Sequence, residues 1–401
     1  MTSNPPKGVL LLLPLPVTAP PSIVCGAVLQ DCDQDFNPLS EPQTIWGRLP
    51  ERFVPSPYYL FAQRIAPAFL RSNQSMAQFI RKIRQRTEGR IVVTWNPEYL
   101  YALDLCAQNC LQRPDITSGM AGIVSLRTAT YACNLLGDFE VVPHTSLERT
   151  LERVTHKKCA AQTQVQRLVW LRSLALALRE KNQRLISYML RSEDERISLL
   201  RKAHESGNVV MTVTIDGKCG LSRAVAENHG AYSMILYYKG NPVTLTHERS
   251  DGMMIAPPAV LTPARRARLN YDTARAFNCV FSSRLDHIDF PKAHAVQEDP
   301  SLSEADRAYL ERCYNENPLP EPDDEVSSVM KERYYMYLGD NERSRASESV
   351  YKHYLEVSAR MIKDSARSFA IETEGLLNYL NEASEEDLRL AQLIREYPSS
   401  L

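Results

Sequence analysis

The chain has 401 residues, 44% hydrophobic and 24% charged, enough apolar material to build two or three domains with their own cores. Its formal net charge of −1 excludes bulk electrostatic attraction to nucleic acid, so any such binding must come from a local patch. Nine scattered cysteines, an odd number, argue against a disulfide framework and for free thiols in a reducing compartment.

Residues 8–22, GVLLLLPLPVTAPPS, form the most apolar stretch. Lys7 is the only basic residue before it, and Pro14 and Pro16 break it as a helix, so a secretory leader is not expected. Ile23 and Val24 are too bulky to precede a lipid-anchored Cys25. No other stretch approaches the ~20 apolar residues of a membrane span, and a cytoplasmic protein without membrane contact is expected. SIVCGAVLQ reads as a strand, DCDQDFNP as a turn and QTIWGRL as a returning strand. Asp31, Asp33 and Asp35 lack the glycine and closing glutamate of a calcium loop, so a solvated turn is expected.

In SMAQFIRKIRQRTEGR, Ser75 and Gln78 make a capping box, Met76, Phe79, Ile80 and Ile83 form one stripe, and Gly89 ends the helix. IVVTW follows as a short buried strand. NPEYLYALDLCAQNCL starts a helix with Asn96 as N-cap and Pro97 at the first position. Cys106 and Cys110 have helical spacing but no partner pair to complete a metal site, so they read as core thiols. AQTQVQRLVWLRSLALALRE reads as a long helix. A βββαβα-type domain with a mixed sheet is the natural reading of this part.

The texture changes near residue 207. NVVMTVTIDGK alternates with period two, and Asp216-Gly217 makes a tight turn. YSMILYYKGNPVTLTHE reads as two strands around Lys239-Gly240-Asn241, and FNCVFSSRLDHIDF as another extended run. TPARRARLNYDTARAF is a helical insertion starting at Thr262 and Pro263. After Pro300 the chain reads as helical. Ser303 and Ser384 open helices, Gly339 stops one, and Val350, Tyr354, Val357 and Met361 share a face of another.

This order resembles the bacterial exonuclease I family, processive 3′–5′ single-strand DNA exonucleases of the DEDD type, over nearly the whole chain. The resemblance rests on SIVCGAVLQDCDQDFNPLSEP, MAQFIRKIRQ…IVVTWN, NQRLISYML, SGNVVMTVTIDG, GAYSMILYYKGNPVTL, SEADRAYLE and VMKERYYMYLGDN, in that order and spacing. It implies an α+β multidomain protein: an RNase H-like DEDD exonuclease α/β domain over 1–200, an SH3-like β-barrel domain over 201–297 and a C-terminal helical domain over 298–401.

In the family, the first strand carries D-x-E, whose carboxylates hold two metal ions that activate water and stabilise the leaving oxygen. Alignment puts Pro14 and Pro16 at those positions. The N-x-x-F-D pattern falls on NPEYL, which gives Leu100 for the Asp, and the H-x-x-x-x-D pattern gives Gln162 and Arg167. An arginine there would repel Mg²⁺. The resemblance therefore implies a catalytically dead domain with no metal and no cofactor. Its first strand would be a core strand near the sheet centre, where proline is normally avoided. Glu98, Asp104 and Asp138-x-Glu140 are the other nearby carboxylates; the last pair reads as a loop. Arg167 is expected to reach solvent or to pair with a carboxylate such as Glu98.

The expected role is that of a pseudoenzyme that binds single-stranded DNA or acts as a protein scaffold in DNA repair. The alternative is an active 3′–5′ exonuclease with displaced ligands. Basic candidates for DNA are Arg81, Lys82, Arg84, Arg86 and Arg90 in one cluster and Arg265, Arg266, Arg268 and Arg275 in another, with Tyr334, Tyr335 and Tyr337 as stacking candidates. The family's SH3-like domain also contacts the acidic tail of single-strand DNA-binding protein. Part of the region that builds that pocket is shortened here, which puts the contact in doubt.

Overall fold

The computed structural model of the chain describes residues 6–18, 22–137, 146–159, 163–228, 231–247, 253–283, 302–379 and 384–397. The first sheet is built from β1 (Val9–Pro16), β2 (Val24–Cys32), β3 (Gln43–Trp46), β4 (Ile91–Thr94) and β5 (Gly122–Ser125), in the order β3-β2-β1-β4-β5. β1, β2 and β3 pair antiparallel, whereas β4 and β5 run parallel to β1, so the sheet is mixed and β1 is its central strand. A strand covered on both faces reads as a continuous apolar run. Leu10 and Leu12 point into one core and Val9, Leu11, Leu13 and Leu15 into the other, which explains VLLLLPLP.

The backbone pairing shows how a central strand carries two prolines. Gly8 accepts from the Ile91 amide on the β4 side, and Val17 donates to Ile23 on the β2 side. Even-numbered residues of β1 thus direct their backbone groups toward β4. β4 pairs with β1 only through Leu11, so Pro14 and Pro16 lie beyond it and lack their N–H where no ladder partner stands. On the other side, a bulge between Leu15 and Pro16 shifts the register with β2, and pairing resumes with Pro16 opposite Val24.

Helices cover both faces: α1 (Pro57–Ala62), α2 (Met76–Thr87), α3 (Glu98–Asn109), α4 (Leu126–Leu136), α5 (Leu147–Thr155), α6 (Gln164–Lys181), α7 (Gln183–Met189) and α8 (Glu193–Glu205). The side chain of Ser75 accepts from the Gln78 amide at the start of α2, and Gly89 takes a left-handed φ of 69° just past its end. Phe79, Ile80 and Ile83 of α2 and Leu100 and Leu103 of α3 pack on one face; Leu168, Leu171 and Leu174 of α6 pack on the other.

A second sheet holds β6 (Val210–Val213), β7 (Cys219–Asn228), β8 (Ala231–Tyr238), β9 (Asn241–His247) and β10 (Met254–Ala256), antiparallel throughout, in the order β10-β6-β7-β8-β9. Lys239 and Gly240 turn β8 into β9 with φ of 48° and 86°, as a two-residue hairpin requires. α9 (Pro263–Leu269) and α10 (Thr273–Ser282) follow. The extended run expected from Phe277 is helix through Ser282, its remainder from 284 lying outside the described residues: Asp272 accepts from the Arg275 amide, and Ala276 and Val280, one turn apart, are buried.

The C-terminal part consists of α11 (Glu304–Asn315), α12 (Ser328–Asn341), α13 (Glu348–Tyr379) and α14 (Glu385–Glu396). Gly339 does not end α12; it lies inside it, because a Cβ there would fall 2.3 Å from the Tyr354 ring of α13. Tyr309, Leu310, Met330, Tyr334 and Phe369 join the same core as Leu10 and Phe79. No helix among the described residues is long and apolar enough to cross a membrane. None of the nine cysteines, all among the described residues, forms a disulfide.

Candidate functional site at the end of the first sheet

The C-terminal end of β1, beyond its pairing with β4, is covered by α1 and α6. Pro14 and Pro16 are buried. The Pro16 carbonyl, left without a β4 partner, accepts from the side-chain amide of Gln63, which follows α1. Gln164, in the first turn of α6, donates its side-chain amide to the Gln63 carbonyl at 2.9 Å. Both amide groups are oriented by these donations, and both side-chain oxygens are buried without a partner. The Tyr59 and Tyr99 hydroxyls meet at 3.3 Å, joining α1 to α3; burial, then the Tyr59 hydrogen bond, pushes the Tyr99 phenol up.

Leu100 is fully buried in the core shared with α2. Arg167 pairs with Glu148 at 2.7 Å, and the Ser146 hydroxyl donates to the other oxygen of that carboxylate at 2.7 Å. Burial pushes the Glu148 carboxyl up, but Arg167 and Ser146 outweigh it and hold it below its ordinary value. The expected partner Glu98 is taken by Arg127, which also reaches Asn96, because the start of α3 faces the start of α4. Asp104 accepts from the Ile116 amide at 2.8 Å and from the amide and hydroxyl of Thr117, so it anchors the loop after α3; burial raises its carboxyl to about 6.

Gln162, Asp138 and Glu140 lie outside the described residues. Among the described residues, no group of three histidine, cysteine or acidic side chains converges to hold a metal. A pair of prolines, a buried leucine and an arginine–glutamate pair do not fit two divalent ions.

The basic candidates divide sharply. Arg84 is held by Asp115 and Gln112, and Arg86 and Arg90 both bind Asp31, so the first acidic turn is the counter-ion of this cluster. Asp33 accepts from the Asp35 and Asn37 amides, as a solvated turn does. Arg265 donates to the Leu136 carbonyl at 2.8 Å and Arg268 to Asn134 at 2.9 Å, which caps the C-terminus of α4 from α9. Arg81 is half-buried, and Lys82 and Arg275 are exposed. Arg266 reaches Thr273 at 3.4 Å. Tyr334 and Tyr337 are each 3% exposed, as core-facing residues of α12, so the stacking role expected of them does not fit; Tyr335 is half-buried. Gln63, Arg127 and Glu148 carry no sequence motif and meet the site only through tertiary packing.

No protein-family model matches the sequence, and no curated protein matches it. The fold, by contrast, matches solved structures along nearly the whole chain. Product-bound exonuclease I superposes with a TM-score of 0.79 at 14% identity, covering 98% of this chain and 99% of that one. Escherichia coli exonuclease I in complex with a dT13 oligonucleotide gives 0.76 at 14% identity, with 98% and 99% covered. A complex of exonuclease I with SSB-Ct gives 0.75 at 14% identity, with 98% of each chain covered. The chain is thus an α+β protein with an exonuclease I-like fold.

Proposed function

We propose that this chain is a non-catalytic protein on an exonuclease I-like scaffold that binds single-stranded DNA. The observation that carries the first half is the end of β1. Pro14 and Pro16 stand where the resemblance places metal-binding carboxylates, and the Gln63 side chain is bonded to the Pro16 carbonyl. The positive charge of Arg167 is already neutralised by Glu148.

Three features support the second half. The fold is shared with exonuclease I solved on dT13 and dA16 oligonucleotides. Lys82 and Arg275 present charge to solvent. Phe281 of α10 is 49% exposed. The same proposal takes 1–200, 201–297 and 298–401 as the three domains; the first sheet, the second sheet and the last four helices fall one in each.

The test uses the purified full chain and a 5′-labelled oligodeoxynucleotide at several salt concentrations, with EDTA and then with Mg²⁺ or Mn²⁺. Binding that weakens linearly in log[salt], without shortening of the oligonucleotide, is expected. Metal-dependent shortening would restore the reading of an exonuclease with displaced ligands, and no binding at low salt would move the protein to a scaffold role.

A further inference from the structure

We infer that the cavity between α2, the loop after α3 and the end of α11 binds a small organic anion, its phosphate or carboxylate held by Arg81 and its apolar body lying on Cys110, Cys313 and Leu319. The cavity has a volume of about 300 Å³, at the lower end of the range of small-molecule sites. Two distant stretches of sequence wall it: Arg81, Arg84 and Arg113 on one side, Tyr314, Leu319 and Tyr337 on the other.

The three guanidiniums are not equivalent. Arg84 is engaged: Asp115 binds it at 3.1 Å, and the Gln112 side-chain oxygen accepts from it at 3.3 Å. Arg113 is held by Glu311 at 2.7 Å and lies 5.3 Å from the Tyr314 centroid. Arg81, one turn before Arg84 on α2 and half-buried, makes no hydrogen bond and no ion pair among the described residues. Burial pushes the Cys110 thiol and the Tyr337 phenol up, and the Arg81 charge draws both back, so its guanidinium stands close to these two buried side chains. A guanidinium partly withdrawn from water without a counter-ion has lost hydration, and an oxyanion replaces it with charge-assisted hydrogen bonds.

The rest of the lining sets what else the ligand carries. Cys110, Cys313, Leu319 and Tyr337 are buried and form an apolar floor; the Tyr337 hydroxyl is turned to Glu342, to which it donates at 2.6 Å. An inorganic anion would leave that floor uncovered, whereas an apolar body removes it from water. Two carboxylates also line the cavity. Asp115 is neutralised by Arg84, and Glu316 is exposed at the rim, where it disfavours a polyanionic strand and is compatible with one charged group seated at Arg81. Because the two walls come from the first and the last parts of the chain, an occupant bridges them and stabilises their junction by mass action.

The experiment uses the full chain with 2-naphthyl phosphate and 2-naphthoate, which share a planar apolar body and differ in the oxyanion, and with 2-naphthamide and inorganic phosphate as the uncharged and the body-less controls. Titration calorimetry reads binding, and thermal unfolding reads stabilisation. At least one of the two naphthyl anions is expected to bind with a Kd of about 0.5 mM or tighter, the affinity that about fifteen non-hydrogen atoms support, and to raise Tm. Binding of one alone names phosphate or carboxylate as the group taken; binding of both shows that either oxyanion serves. The two controls should bind at least tenfold more weakly. Arg81→Gln should weaken binding of the anion at least tenfold without lowering the Tm of the unliganded protein, which separates a lost contact from a folding defect. Arg333→Gln, which removes an exposed charge of α12 outside the cavity, should bind as the wild type does. Absence of heat from both naphthyl anions up to about 5 mM overturns the inference. Equal binding by naphthamide, by inorganic phosphate or by the Arg81→Gln protein overturns it as well.

Discussion

Two carboxyl groups, Asp104 and Asp340, are buried and are raised to about 6. Burial is the main cause at both; at Asp340 it outweighs the Arg52 guanidinium 3.0 Å away. An acid whose folded pKa exceeds its unfolded value of ~3.9 binds more protons in the folded state between the two. Stability from such a group is present at low pH and is lost as pH rises from about 4 to about 6. Asp104→Asn keeps an acceptor for the Ile116 and Thr117 amides and removes the titration. The stability of the wild type relative to D104N should therefore fall across that window, measured by urea unfolding at pH 4.5 and pH 7; a difference independent of pH would reject the assignment. Arg265 and Arg268 lie in a basic run that composition alone reads as phosphate contacts, yet their guanidiniums satisfy the last carbonyls of α4. Arg265→Ala/Arg268→Ala is expected to destabilise the protein by about 1–3 kcal/mol while leaving the salt slope of DNA binding unchanged.

At the scale of the element, β1 shows what a strand can carry when its neighbour stops early. Its place near the sheet centre was expected from the resemblance, and the apolar run fits it, because a strand covered on both faces has that texture. How it tolerates proline was not legible, since that depends on β4 ending its pairing at Leu11, three residues before Pro14. A consequence is that Pro14→Ala, although it installs a commoner strand residue, adds an N–H to a buried site with no ladder partner. A loss of about 1–3 kcal/mol is expected, with an unchanged denaturant slope; equal stability would mean that the new amide finds a partner. Caps at Ser75, Ser303 and Ser384 were readable because they are local hydrogen bonds to the residue three positions on. The four residues of β5 and the helical state of α10 from Phe277 onward were not read. β5 is too short to show a period, and Phe, Val and Cys in α10 favour strand until the Asp272 cap and the Ala276–Val280 pair are weighed. Gly339 misled for a different reason: its lack of a side chain serves the close approach of Tyr354 rather than the end of a helix.

In the whole molecule, the first sheet divides two large cores, and neither is closed by the α/β part alone. Val213, Leu221 and Ile235 of the second sheet join the α4–α6 side, while Tyr309, Met330, Tyr334 and Phe369 from the last helices join the α2–α3 side. Polar contacts reinforce the second junction: Arg52 binds Asp340, Asn341 accepts from the Ala77 amide, and Ser56 donates to Glu372 at 2.5 Å. These same helices hold α1 in place, through Arg64 with Asp387 and Tyr58 beside Gly375, and α1 carries the Gln63 that bonds to Pro16. The covering of the end of β1 is therefore a property of the assembled molecule and not of the β1 residues alone. Placing acids and a histidine at the positions that the resemblance aligns with catalytic residues, with Pro14→Asp, Pro16→Glu, Leu100→Asp, Gln162→His and Arg167→Asp, should consequently give no nuclease. The change at Leu100 alone puts a carboxylate into a fully apolar surrounding, at an expected cost of at least about 3 kcal/mol, and Glu148 would lose its counter-ion. The measurement is degradation of a labelled single strand with Mg²⁺, alongside unfolding of the Leu100→Asp protein. Metal-dependent cleavage by the substituted variant would show that this end of the sheet opens far more readily than its packing implies.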